Sequence, residues 1–266
     1  MHPRRGNANS KFMLRNQPQP PPPPGAWLRP ELVASWREII LVILVMVGPF
    51  MWKSTVSAWN GSATRFLPAL FSDHRLLASM TSEGVLFAFF LWLLHRRGWN
   101  VSDFRIGPGG WSTSQGFLLL GAVEISQITV KVILMVTTYA LQGHKEGFIH
   151  FAQANNPHLL PHSITVSWSV LTAAMVLNAY FEEMICTGYV FTQLAEKWGP
   201  FLGLIGTLAL RLACHTYQGP TNVAAIGSVF LLFGLWYWKS RNLWPLIVAH
   251  ALLDICSGTL LKFMFG

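Results

Sequence analysis

The chain has 266 residues, of which 52% are hydrophobic and only 11% charged, with a mean hydropathy of +0.40. A soluble domain carries about a quarter charged residues, so this balance excludes an ordinary water-soluble enzyme and points to a chain that crosses a membrane several times. The formal charge of +8 does not point to nucleic acid, because Lys and Arg gather mainly in one tail and short loops, the placement that orients membrane proteins.

The first stretch, MHPRRGNANSKFMLRNQPQPPPPPG, is basic, Pro-rich and without apolar periodicity. It predicts a disordered or polyproline-like tail over residues 1–37. The first long apolar run begins near Ile39 with no small-residue cleavage site after it, so a cleaved signal peptide is not expected. A spanning helix needs roughly 20 mostly apolar residues. Candidate spans follow near 39–58, 77–95, 116–141, 166–196, 201–217, 222–238 and 243–264. The expected fold is therefore all-α, a polytopic transmembrane bundle of about seven spans in the lipid bilayer. Residues 38–165 form its N-terminal helices and loops, and 166–266 a helical core. Alternating the sides puts twelve Lys and Arg with the N-terminus and five opposite, six of the twelve lying in the tail. This excess places the N-terminus in the cytoplasm.

Polar side chains inside apolar spans carry the functional signal. The fourth span holds NAYFEEMICTGYV, with Glu182 and Glu183 adjacent. An ionised side chain at the bilayer centre costs about 2.5–3.5 kcal/mol on insertion scales, so the pair needs partners on neighbouring helices. Depth identifies them. Glu183 lies sixteen residues before Gly199 and His215 sixteen after it, which puts both roughly 24 Å from that turn at about 1.5 Å per residue. His250 and Asp254 on the seventh span reach roughly 12 and 18 Å past Asn242 and share a helix face. Glu182 and Glu183 point about 100° apart on an α-helix, so one faces the site and the other a second helix. Five ionisable side chains from three helices are thus expected in one layer.

At these residues the chain resembles the CAAX protease and bacteriocin-processing family of intramembrane proteases. The family pattern is Glu-Glu-x-x-x-Arg, Phe-x-x-x-His and His-x-x-x-Asn or Asp on three membrane helices. Here it reads EEMICT at Glu182–Thr187, RLACH at Arg211–His215 and HALLD at His250–Asp254, within roughly residues 166–266. Two positions depart: Thr187 stands where the family has Arg, and Arg211 where it has Phe. Arg211 is one turn before His215, so the guanidinium is expected to have moved from the fourth helix to the fifth and to pair with Glu183. The resemblance implies that Glu182 activates a water, that His215 helps hold it, and that His250 and Asp254 face the developing oxyanion. An Asn could donate there, whereas an ionised Asp would repel, which leaves Asp254 protonated, paired with a cationic His250, or bound to a metal. Glu182, His215 and His250 are the candidate ligands for a divalent ion such as Zn²⁺, and the sequence leaves metal-dependent and glutamate-type chemistry both open.

The remaining polar residues have simpler readings. Cys186, Cys214 and Cys256 are expected as packing residues. Glu124, Gln127 and Lys131 form a polar seam on the third span, with Lys131 snorkelling or meeting substrate. His144, His150, His158 and His162 fall in a loop read as solvated. Neither His-Glu-x-x-His nor Gly-x-Ser-x-Gly occurs, and Asp73, Asp103 and Asp254 are too dispersed for a membrane aspartyl dyad. The expected function is cleavage of a membrane-associated peptide or protein. The alternatives are a non-catalytic membrane partner of bacteriocin-immunity type, which the missing Arg at Thr187 favours, and a small proton-coupled transporter.

Overall fold

The structure is a computed structural model, and it describes residues 26–60, 72–104, 106–142 and 166–265. Seven helices are seen among them: α1 Trp36–Trp59, α2 Asp73–Arg96, α3 Gly110–Gln142, α4 Trp168–Trp198, α5 Pro200–His215, α6 Pro220–Ser240 and α7 Trp244–Phe265. Six of them are long and apolar enough to cross a membrane, and the protein is an integral, multi-pass, all-α membrane protein. The seventh, α5, has 16 residues and is about 24 Å long, short of a hydrocarbon core of about 30 Å.

The helices alternate in direction, and polar contacts mark the two ends. At one end Trp36 meets Trp198 at 4.3 Å between ring centroids, Arg97 pairs with Glu38 at 3.0 Å, and Trp244 donates its indole N–H to Thr113 at 2.9 Å. At the other, Asp73 accepts from the Ser167 backbone N–H at 2.7 Å, Lys262 donates to the Val166 carbonyl, and Ser54 bonds Thr216 at 2.9 Å. Between these ends the core is aromatic: Phe90 meets Tyr189 edge-on, and Phe191 meets Tyr237 the same way. Outward faces carry the apolar side chains a bilayer would cover, Ile125, Ile128, Val132 and Ile133 on α3 among them.

A tail without structure was expected as far as residue 37. Residues 26–35 correct this, because they lie as a strap across the first end of the bundle. Glu196 accepts from the backbone N–H groups of Trp27 and Leu28 at 2.7 and 3.1 Å, and Arg29 reaches both carboxylate oxygens of Asp103. Gln193, fully buried, accepts from the Ala34 N–H at 2.8 Å and donates to the Leu32 carbonyl at 2.9 Å. These partners lie more than 70 positions away, which no local pattern reveals. Ser35 and Glu38 then cap α1 reciprocally. Residues 1–25, and the four histidines between 144 and 162, lie outside the described residues.

Close helix contact rests on single glycines. A Cβ at Gly116 of α3 would stand 2.7 Å from Val248 of α7, whereas one at Gly84 of α2 would meet nothing within 4 Å. Gly116→Val should lower stability by about 1–3 kcal/mol through overpacking, and Gly84→Ala should raise it by about 0.5–1 kcal/mol, both read by thermal unfolding in detergent micelles.

Candidate active site

α4 does not continue as an α-helix through the glutamates. From Glu183 to Phe191 its backbone bonds run i→i+5, the wider π geometry, which is rare and concentrates at functional sites. The turn angle assumed from sequence therefore fails beyond Glu182. Within the wider turns Gly188 sits against Phe104 and Leu243, where a Cβ would stand 2.7 and 3.2 Å from them. Thr187 sits where its hydroxyl donates to Glu183 Oε2 at 2.8 Å.

The two glutamates separate. Glu183 is fully buried and held by three helices: Arg211 of α5 at 2.8 Å and Thr187 of α4 share Oε2, and His250 Nδ1 of α7 meets Oε1 at 2.8 Å. Arg211 is 2% exposed, donates to Thr187 Oγ1 at 3.0 Å and to the Glu182 carbonyl at 3.4 Å, and lies 4.3 Å over the Phe230 ring of α6. The guanidinium beside Glu183 thus comes from α5, and Thr187 is one of its acceptors.

Glu182 turns the other way. Its side chain is 22% exposed, 3.5 Å from Arg211 Nη1, and it lines a cavity of about 490 Å³. His215, His250 and Asp254 line the same cavity, together with Asn178, Cys186 and Cys214; Glu183 and Thr187 do not. His215 places Nδ1 2.7 Å from the Arg211 carbonyl, so Nδ1 carries the proton and Nε2 is the nitrogen left to accept. Phe230 packs against both imidazoles, with ring centroids 5.3 Å from His215 and 6.2 Å from His250. Asp254 Oδ2 lies 3.5 Å from His250 Nε2 and accepts from Asn178 Nδ2 at 3.2 Å.

The candidate metal ligands do not fit an ion in this arrangement. Among the described residues no group of three His, Cys, Asp or Glu side chains is placed to hold one. Both nitrogens of His250 already face carboxylates, and Arg211 occupies the side of Glu182 that a cation would share.

Three residues of the site escaped the sequence reading. Phe230 has a side chain common in any membrane helix and gave no signal, and Asn178, a lone amide in the apolar run of α4, gave only a weak one. Glu83 did give one, since it is a carboxylate in the apolar run of α2. It is 8% exposed, accepts from Ser79 at 2.9 Å, lines the cavity, and lies within electrostatic reach of Glu182 and Asp254. The rule applied to Glu182 would have found it.

Fold and site together define an intramembrane polar centre built on a carboxylate pair and two histidines. Residues 164–256, about a third of the chain, match the family described as Rce1-like, type II CAAX prenyl endopeptidases, consistent with the resemblance read from the motifs. Comparison with curated proteins found no match, and comparison with solved structures found none.

Removing one member of a buried charge pair leaves the other uncompensated and costs about 3–5 kcal/mol. Arg211→Met should therefore destabilise the protein by about that much, and Arg211→Met with Glu183→Gln should be clearly less harmful than the sum of the two singles. Unfolding of the four proteins in detergent measures the coupling directly.

Proposed function

We propose that this protein is an intramembrane endopeptidase, with Glu182 as the base that activates water. One observation carries the proposal: Glu182, His215, His250 and Asp254, from three helices, all open onto one cavity within the bundle. The family match of residues 164–256 supports the reaction class, and the substrate is a membrane-associated peptide or protein cut near its lipid-embedded end. The basic residues favour an N-terminus in the cytoplasm.

In this reading Glu182 takes a proton from water as the oxygen attacks the peptide carbonyl carbon, and returns it to the leaving nitrogen as the C–N bond breaks. His215 Nε2 accepts from the same water and fixes its approach. Glu183 touches no substrate. It holds His250 and Arg211, and Arg211 positions Glu182, so Glu183 is a positioning residue. The oxyanion needs N–H donors, which Asp254 lacks when ionised. Asn178 supplies an amide beside it, with one N–H on Asp254 and the other directed to the developing charge. The pairing of Arg211 with Glu183 also speaks for an active enzyme over a degenerate relative, because the missing Arg at Thr187 is replaced in space.

Membrane proteomes from cells carrying wild type and Glu182→Gln at matched levels should differ in processed peptides, with the products lost in the variant. Identical peptide profiles would favour the non-catalytic reading. Thr187→Arg combined with Arg211→Phe restores the family arrangement. It should retain processing within about tenfold of wild type, whereas Arg211→Phe alone should lose about 10²-fold or more, since it frees the base from its positioning partner. A folded but inactive double variant would defeat the relocation argument.

A further inference from the structure

A further carboxyl group faces the cavity from outside residues 164–256. Glu83 stands in the apolar run of α2, and Leu76, Ser79, Met80 and Glu83 turn one side of that helix to the cavity. Its depth follows from helix register. Asp73 at the head of α2 accepts from the backbone N–H of Ser167 at the head of α4, so the two helices start level and run the same way. Glu83 lies ten residues beyond Asp73, and Asn178 ten beyond Trp168, each about 15 Å from that end. One turn further along, Phe87 meets Phe181 edge-on with ring centroids 6.2 Å apart, so the register holds across this layer. Asn178 in turn donates to Asp254 of α7 at 3.2 Å. Glu83, Asn178 and Asp254 therefore surround one level of the cavity, a helical turn from Glu182.

The carboxyl groups that line the cavity differ in what answers them. Glu182 has Arg211 at 3.5 Å, and Asp254 has His250 at 3.5 Å. Glu83 accepts from Ser79 at 2.9 Å, and among the described residues no cation stands within ion-pairing distance of it; Lys53 of α1 acts on it at longer range, as do Glu182 and Asp254. Three carboxyl groups in one space of low dielectric repel one another when ionised, and a proton is held best where no cation stands by. A carboxylic acid then offers an O–H donor, which an ionised carboxylate does not. Ser79 occupies Oε1 of Glu83, which leaves Oε2 to carry that hydrogen.

We propose that Glu83 is a further catalytic residue, a neutral carboxylic acid whose O–H donates, beside the Asn178 amide, to the oxygen of the carbonyl under attack. No bond to Glu83 is made or broken. As water adds to the carbonyl carbon, the π electrons of the C=O bond move to oxygen and both hydrogen bonds strengthen on the growing charge. The electrons return as the C–N bond breaks. The proton that Glu182 takes and returns is a separate one. Ser79 is a positioning residue in this arrangement. The proposal rests on the protease reading and adds a donor to it from α2.

The test has two arms, both on the full chain. In the first, infrared spectra of the protein purified in detergent are compared at neutral pH for wild type and Glu83→Gln. The difference should contain the C=O band of one protonated carboxyl group, shifting in heavy water; its absence overturns the proposal. In the second, membrane proteomes are compared from cells carrying wild type, Glu182→Gln, Glu83→Gln and Glu83→Leu at matched levels, and the peptides lost in Glu182→Gln are counted. Glu83→Gln keeps an N–H donor and should yield close to the wild-type amount. Glu83→Leu should yield about 10²-fold less, the usual loss when one oxyanion donor is removed. Full yield from Glu83→Leu, or a loss in Glu83→Gln as large as that in Glu83→Leu, overturns the proposal while leaving the protease reading in place. Identical profiles of wild type and Glu182→Gln overturn the protease reading and this role with it. If Glu83→Leu does not fold, the infrared band and the yield of Glu83→Gln decide.

Discussion

The burial of one carboxylate organises the whole second half of this protein. Glu183 is fully enclosed, and an isolated charge there would be costly enough to unfold the bundle. Arg211, Thr187 and His250 answer it from α5, α4 and α7, and each is placed by that answer. Arg211 is drawn under Glu182 and against Phe230, His250 is turned so that its other nitrogen faces Asp254, and α4 widens to seat Thr187. Glu183 is therefore a keystone, and its less buried neighbour Glu182 is the carboxylate that opens onto the cavity.

Such a keystone also gives Thr187 and Arg211 a shared role. The charge that neutralises Glu183 must reach one point in space, and either α4 or α5 passes close enough to carry it. A Thr at position 187 clears volume and offers an acceptor, and an Arg at position 211 fills both.

The fold was largely legible in the sequence because lipid imposes a simple rule: about 20 apolar residues per crossing. The expected spans agree with the seven helices, apart from a few residues at their ends. The convergence of Glu182, His215, His250 and Asp254 was legible too, since helix rise converts sequence position into depth. Side-chain direction on α4 beyond Glu183 was not, because the backbone changes there from i→i+4 to i→i+5 bonding, which no local pattern announces. The strap of residues 26–35 was missed for the same reason: its partners, Glu196, Gln193 and Asp103, are all remote in sequence. Glu83 was missed although its signal was of the same kind as that of Glu182.

The brevity of α5 has a consequence for the membrane itself. With about 24 Å of helix against about 30 Å of hydrocarbon, its lipid-facing side, with Phe201, Leu202 and Ile205 exposed, leaves a mismatch of roughly 6 Å that the surrounding lipid relieves by thinning, at fractions of a kcal/mol per ångström. Bilayers of short acyl chains therefore match that flank better than bilayers of long ones.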